Sequence, residues 1–242
     1  MQPIFITGIG TNVGKTIAAA ILTEALEADY WKPVQAGYKD GTDSEWLKAV
    51  ISNPVTKVYP ETYKLHAAIS PHIAARQEGR RIELDEIERN YKMILTSGEI
   101  GNKKSGIRNE ELEMGDDPSG KRYLIIEGAG GLMAPLNEEE FAFDLIKKLD
   151  ARLIIVSRNY LGSINHSLLT ASICKSNNIP ITGWIFNDEY LNYEDEILRW
   201  TGIPRITSIP SLAHPDRESI AKQARLLGPG IRKMLQMSEP GF

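Results

Sequence analysis

Pro3-Ile4-Phe5-Ile6-Thr7-Gly8-Ile9-Gly10-Thr11-Asn12-Val13-Gly14-Lys15-Thr16 decides the fold of this chain. Its first five residues are apolar or β-branched and read as a buried strand. Thr16 to Ala28, rich in Ala, Leu, Ile and Glu, reads as the helix that follows. A glycine-rich turn ending in Gly-Lys-Thr between a strand and a helix is a phosphate-binding loop. Its successive backbone N–H groups wrap an anion, and the helix N-terminus adds its positive end. Gly14 lets the main chain approach phosphate, Lys15 reaches the terminal oxygens, and the Thr16 hydroxyl can ligate Mg²⁺. The spacing from Gly8 to Gly14 is one residue longer than the common form of this loop, so a variant loop that binds ATP or GTP is expected.

Outward from this loop, short apolar runs alternate with helical stretches, the pattern of a parallel sheet covered by helices. Further strands are expected at Tyr30 to Val34, ended by Pro33, and at Tyr123 to Ile126, Leu153 to Val156, Ile181 to Phe186 and Ile206 to Ile209. Helices are expected at Glu83 to Leu95 and Ser163 to Lys175. Thr96 to Arg122 is polar and glycine-rich and reads as a flexible insertion, with a short helix at Arg108 to Met114. No boundary is drawn there, because the alternation resumes at once. The expected architecture is a single α/β domain over residues 1–242, a mostly parallel central sheet with helices on both faces.

Composition narrows the function classes. The chain has 242 residues, 42% hydrophobic and 25% charged, with 28 Lys and Arg against 32 Asp and Glu, a net charge of −4. That balance supports a packed core and shows no basic footprint for nucleic acid. The single cysteine, Cys174, excludes an intrachain disulfide and suits a reducing cytoplasm. No run approaches a membrane span. The four histidines show no metal-ligand spacing.

Other stretches carry chemistry. Glu127-Gly128-Ala129-Gly130-Gly131 follows an apolar strand, where a second metal ligand belongs in a sheet already holding a phosphate loop. Lys32, between Trp31 and Pro33, can aim at the same crevice as Lys15 or simply snorkel. Asp43 reads, taken alone, as a helix N-cap. Ser70-Pro71 has the grammar of a helix start, and Gly162 to His166 opens a helix after a strand. Asn187-Asp188 could read a base edge or cap a turn. Ala221 to Met237 is cationic but carries Gly228-Pro229-Gly230 inside it, so no C-terminal amphipathic membrane helix is expected.

Taken together these stretches resemble the dethiobiotin synthetase family. The resemblance rests on Gly8-x-x-Thr11-x-Val13-Gly14-Lys15-Thr16, Lys32-Pro33-Val34, Ser70-Pro71-His72 and Glu127-Gly128-Ala129-Gly130-Gly131. It extends to Leu161-Gly162-x-Ile164-Asn165-His166, Leu169-Thr170, Gly183-Trp184-x-x-Asn187-Asp188 and Ile209-Pro210-x-Leu212. It implies a P-loop NTPase domain that works as a homodimer, without nucleic acid or membrane. The implied reaction is ATP-dependent carboxylation and ring closure of 7,8-diaminononanoate with CO₂. Asn12, Val13, Gly14, Lys15, Thr16 and Ile17 would hold the phosphates. Thr16, Asp43 and Glu127 would hold Mg²⁺, and Lys32, Lys15 and Thr11 would take the catalytic positions. Glu127, Gly128, Ala129, Gly130, Asn187, Asp188, Pro210, Ser211 and Leu212 would line the nucleotide site, with Asp216 as a ribose contact. Gly162 to Asn165 would receive the substrate carboxylate from the neighbouring subunit, aided by Tyr190 or Tyr193.

The chain departs from the family pattern at Ala36, often Ser or Thr; at Asn12, often acidic; and at Gly10, often Asp. Two alternatives stand beside this resemblance. One is a dimeric switch ATPase of the partition type, which would carry a further lysine early in the loop. The other is an amide-forming enzyme of corrinoid synthesis.

Overall fold

A computed structural model describes residues 1–188, 191, 193–212 and 214–237, apart from residues 105–121. Its strands are β1 (Gln2–Gly8), β2 (Asp29–Trp31), β3 (Val34–Ala36), β4 (Val58–Tyr59), β5 (Tyr63–Leu65), β6 (Tyr123–Gly131), β7 (Arg152–Arg158), β8 (Ile181–Asn187) and β9 (Arg205–Ile209). Its helices are α1 (Lys15–Leu26), α2 (Asp43–Val50), α3 (Pro71–Gln77), α4 (Leu84–Lys104), α5 (Ala142–Lys148), α6 (Ser163–Ser176), α7 (Tyr193–Thr201) and α8 (Arg217–Met237).

Seven strands form one sheet in the order β4-β2-β6-β1-β7-β8-β9, and every pairing in it is parallel. The central strands are apolar throughout because both faces are covered, as parallel sheets require. On one face Ile4, Ile6, Ile125 and Ile154 pack with α1, α2 and α8. On the other Phe5, Ile126, Leu153 and Ile155 pack with α4, α5, α6 and α7. The chain leaves β1 toward β2 on one side, and β6 leads to β7 on the other. This reversal opens a crevice at the carboxyl ends of the central strands, where ligands of open α/β sheets bind.

Several expectations change in detail. The strand expected at Tyr30 to Val34 is two strands in two sheets. Pro33 lacks an N–H for the ladder, so β2 stops at Trp31, and β3 leaves to pair with β5. The glycine run Glu127 to Gly131, expected to follow a strand, is the end of β6 itself. Gly131 pairs with Gly8, and a side-chain carbon there would meet the Gly8 carbonyl at 3.2 Å. Helix α4 continues through Lys104, so the start of the Thr96 to Arg122 insertion is helical. The short helix expected at Arg108 to Met114 lies outside the described residues.

Asp43 is not the cap of α2. Thr42 caps it through a capping box with Glu45, and Asp43 is the first helical residue. The C-terminal segment is one amphipathic helix, α8, which runs through Pro229 and buries Ile220, Ala224, Ile231 and Leu235 against the α1 side of the core. Gly228 lets it lie close to Ala25. Among the described residues no helix is long and apolar enough to cross a membrane.

Candidate functional site

The loop after β1 is built by backbone conformations that glycine permits. Gly14 sits at φ +90°, immediately before α1, and Asn12 also has positive φ, at 58°. A β-carbon on Gly14 would land 2.0 Å from Asn187 Nδ2, so the position tolerates no side chain. No side chain caps α1 and its first turn holds no acidic residue. Its N–H groups are therefore left for an anion, at the positive end of the helix.

The loop opens on a cavity of about 880 Å³, within the size range of small-molecule sites. Thr11, Asn12, Gly14, Lys15, Thr16 and Ile17 line it from the loop. Lys32, Ala36 and Asp43 line it from the β2–α2 segment, and Glu127, Ala129 and Gly130 from β6. Most of the residues singled out by sequence thus meet in one place, although more than a hundred positions separate Thr16 from Glu127.

Strand alternation explains the centre of the site. Tyr30 pairs in register with Ile125, so two residues further on Lys32 stands beside Glu127, both on the α1 face. Lys32 Nζ donates to Glu127 Oε1 at 2.8 Å and also bonds Asp43 Oδ2. Thr16 Oγ1 donates to the same Glu127 oxygen at 2.9 Å, and the Tyr30 hydroxyl donates to Oε2 at 2.8 Å. Lys32 and Glu127 are only 5% and 1% exposed, so this is a buried ion pair rather than a solvated one. Snorkelling is excluded for Lys32, whose ammonium is bonded inside the site.

The two lysines are tuned in opposite directions. Burial works against the Lys32 charge, but Glu127 and Asp43 outweigh it and hold the ammonium above its usual range. Lys15 donates to the Gly10 carbonyl at 2.9 Å. Its burial, only partly offset by Glu127 and reinforced by repulsion from Lys32, lowers it to about 8. Burial and the neighbouring Glu127 raise the Tyr30 phenol, which stays protonated and serves as a donor.

Among the described residues no three His, Cys, Asp or Glu side chains form a metal cage. Thr16, Asp43 and Glu127 nevertheless offer hard oxygen donors around a point where an ammonium already sits between two carboxylates. That set suits Mg²⁺, which is usually held by one or two carboxylates plus water and phosphate oxygens. The residues present therefore fit the ion.

Other predicted residues lie elsewhere. The face of Gly128 that a side chain would occupy points at Phe5, 2.7 Å away, so this glycine serves strand packing. Val13 is buried in the core and only its main chain is available. Asn187 donates its amide to the Val13 carbonyl at 3.2 Å, bracing the phosphate loop from the end of β8. Asp188, at φ 62°, is paired with Arg158 at 2.6 Å. Pro210, Ser211 and Leu212 follow β9 beside it, joined through the Asp188 N–H to the Ile209 carbonyl. None of Asn187 to Asp188 or Pro210 to Leu212 lines the cavity. Asp216 accepts from the Ser219 N–H at 2.9 Å and caps α8.

Gly162, at φ 102°, precedes α6; Asn165 and His166 are exposed and the run is no part of the cavity. Tyr193 opens α7, and Tyr190 lies outside the described residues. Sequence reasoning missed Tyr30, Gln35, Ala68 and Ile69. Gln35 lines the cavity and accepts from the Asp43 N–H at 3.2 Å. Tyr30 was visible only as a strand residue two positions before Lys32.

Comparison with known proteins agrees with this geometry. A family described as an AAA domain matches residues 2–219. The ATP-dependent dethiobiotin synthetase of Cytophaga hutchinsonii is 44% identical over 204 residues, 84% of this chain and 85% of that protein. The synthetase of Christiangramia forsetii is 42% identical over 80% of each chain, and that of Rhodopseudomonas palustris strain BisB18 is 35% identical over 90% and 91%. Among solved structures, the MinC:MinD cell division complex of Aquifex aeolicus aligns with a TM-score of 0.59 at 13% identity, over 100% of this chain and 99% of that one. A ParA family ATPase from Chlorobium tepidum aligns at 0.52 and 16% identity, over 98% and 94%. Those likenesses show the fold alone, a P-loop ATPase fold. With 35–44% identity to these synthetases along most of its length, and the phosphate loop, Lys32, Asp43 and Glu127 gathered at one crevice, the chain belongs to the dethiobiotin synthetase family.

Proposed function

We propose that the cavity after β1 binds Mg-ATP and 7,8-diaminononanoate and closes the cyclic urea of dethiobiotin with CO₂, releasing ADP and phosphate. The convergence of Lys15, Lys32, Thr16, Asp43 and Glu127 on one cavity carries this reading. Family membership supplies the reaction.

One amine of the substrate takes up CO₂ and loses a proton, giving a carbamate. The carbamate oxygen attacks the γ-phosphorus and the bond to ADP breaks. The second amine attacks the carbamate carbon of the resulting mixed anhydride, closes the ring and expels phosphate. Phosphoryl transfer asks mainly for positioning and charge neutralisation. Lys15 and the N–H groups of Asn12 to Ile17 hold the phosphates. Lys32 is released from Asp43 to face the carbamate and the transferring phosphoryl group, and Thr11 lies at the mouth of the same loop. Thr16, Asp43 and Glu127 would hold Mg²⁺, which would supply charge neutralisation to the phosphates.

Asn187, Asp188, Pro210, Ser211 and Leu212 hold the base and ribose end, with Ala129 and Gly130 along the phosphates. Asp216 is committed to capping α8, so it is not assigned to the ribose. The run Gly162 to Asn165, at the start of α6, receives the substrate carboxylate in a homodimer. The chain works as one domain, in the cytoplasm.

The test is an incubation with diaminononanoate, bicarbonate and Mg-ATP, followed by mass spectrometry. Cyclic urea formed only when every component is present supports the proposal. ADP without cyclic urea refutes the substrate assignment and moves the chain toward the switch-ATPase alternative.

A further inference from the structure

Glu127 is held from both sides. Its Oε1 accepts from Thr16 and Lys32, which face the cavity, while Oε2 accepts from Tyr30 in the closed core. Tyr30 is 0% exposed, and its ring packs on the α1 face with residues such as Ile4 and Ile125. The hydroxyl at the far end of that ring is the donor for a carboxylate oxygen that water does not reach. A buried carboxylate with one oxygen unbonded is costly, and it would turn to place both oxygens on Lys32 and Thr16. The phenol prevents this turn and leaves a single, fixed oxygen toward the cavity.

We propose that Tyr30 is a positioning residue of the ATP site, acting through Glu127 to fix the oxygen that the metal and Lys32 share. It touches neither nucleotide nor substrate, as it lies behind the carboxylate and lines no part of the cavity. The inference rests on the assignment of Glu127 as a Mg²⁺ ligand. Loss of a partner that orients a metal ligand from behind typically costs about 10–100-fold in metal affinity.

Tyr30→Phe keeps the ring and removes only the hydroxyl. The measurement is nucleotide affinity by calorimetry, with ATP in EDTA and then at increasing Mg²⁺, with kcat and KM followed over the same Mg²⁺ series. The Mg²⁺ concentration needed for half of the affinity gain is expected to rise by about 10-fold or more. Metal-free ATP affinity stays within about twofold, and excess Mg²⁺ recovers most of the turnover.

An unchanged Mg²⁺ requirement overturns the proposal. So does an equal loss of metal-free affinity, which would make the hydroxyl merely structural. Should Tyr30→Phe fail to fold, the pair Glu127→Gln and Glu127→Gln/Tyr30→Phe carries the test, because a neutral amide does not need the phenol to offset a buried charge. Equal Mg²⁺ requirements in the two support action through Glu127; a further loss in the double variant overturns it. If the unaltered protein shows no Mg²⁺-dependent gain at all, the assignment of Glu127 itself fails, which is a distinct result.

Discussion

Lys32→Gln separates the chemical part of Lys32 from its structural part. In the folded protein the ammonium is the counter-charge of a carboxylate that is 1% exposed. Removing one member of a buried pair generally costs about 3–5 kcal/mol, since the other charge is left uncompensated. Here the loss is smaller, because Thr16 and Tyr30 still donate to Glu127 and a glutamine amide can replace one donor. Asp43 adds little, as its side chain is 35% exposed and water can solvate it.

A cost of about 2 kcal/mol follows from keeping hydrogen bonds while losing a charge, or roughly 4–8 °C in Tm for a chain of this size. Catalytically, losing a cation aimed at developing charge lowers kcat by about 10²–10³. ATP affinity should change far less, since in the proposed function Lys15 and the loop amides hold the phosphates. Thermal melts with and without Mg-ATP, beside steady-state kinetics, read both quantities. The Tm deficit should shrink when Mg-ATP is present, since a metal held as proposed would neutralise the same carboxylates. Turnover within threefold of the unaltered enzyme would remove Lys32 from the mechanism. An unchanged Tm would show that Glu127 does not depend on it for charge.

Gly14→Ala places a carbon 2.0 Å from the Asn187 amide at φ +90°; nucleotide affinity falls at least tenfold, about 1.4 kcal/mol, by fluorescent-nucleotide titration. Ala36→Ser, on the cavity wall, restores a hydroxyl that the family often carries and lowers KM for the diamine, by about fivefold if one hydrogen bond of about 1 kcal/mol forms. Cys174 is buried and its thiol is pushed up to about 12 by that burial. A thiol reagent at pH 8 should therefore label no cysteine in the native protein and one in guanidinium. Because the folded thiol keeps its proton longer than the unfolded one, its contribution to stability is full below pH 9. It declines as pH rises from 9 toward 12, which urea melts across that range should show.

The parallel sheet and the phosphate loop were legible in the chain itself. Apolar strands covered on both faces leave uninterrupted runs, and a phosphate loop is made by contiguous residues whose backbone does the binding. What depended on contiguity came through: the strand before Gly8, the helix after Lys15, and the Ser70-Pro71 start of α3. What depended on a neighbouring strand did not. Pro33 was visible, but its effect, sending Val34 to Ala36 into a second sheet, needed β5 as a partner.

The glycines after Glu127 read as lying past the strand because glycine disfavours strands. They remain strand because their missing side chains let β6 close on the loop at Gly8. Asn187 was legible as a polar residue after a strand, but only the fold brings its amide under the Val13 carbonyl.

The sequence by itself determined the phosphate loop, the class of sheet and, through 35–44% identity with named synthetases, the family. Only the tertiary structure decided that Lys32, Asp43 and Glu127 form one charge cluster and that Tyr30 stands behind it. The physical reason is the strand order β2-β6-β1. Backbone hydrogen bonds and the burial of both faces fix which strands are neighbours, and that order brings residues from three distant segments to one carboxylate.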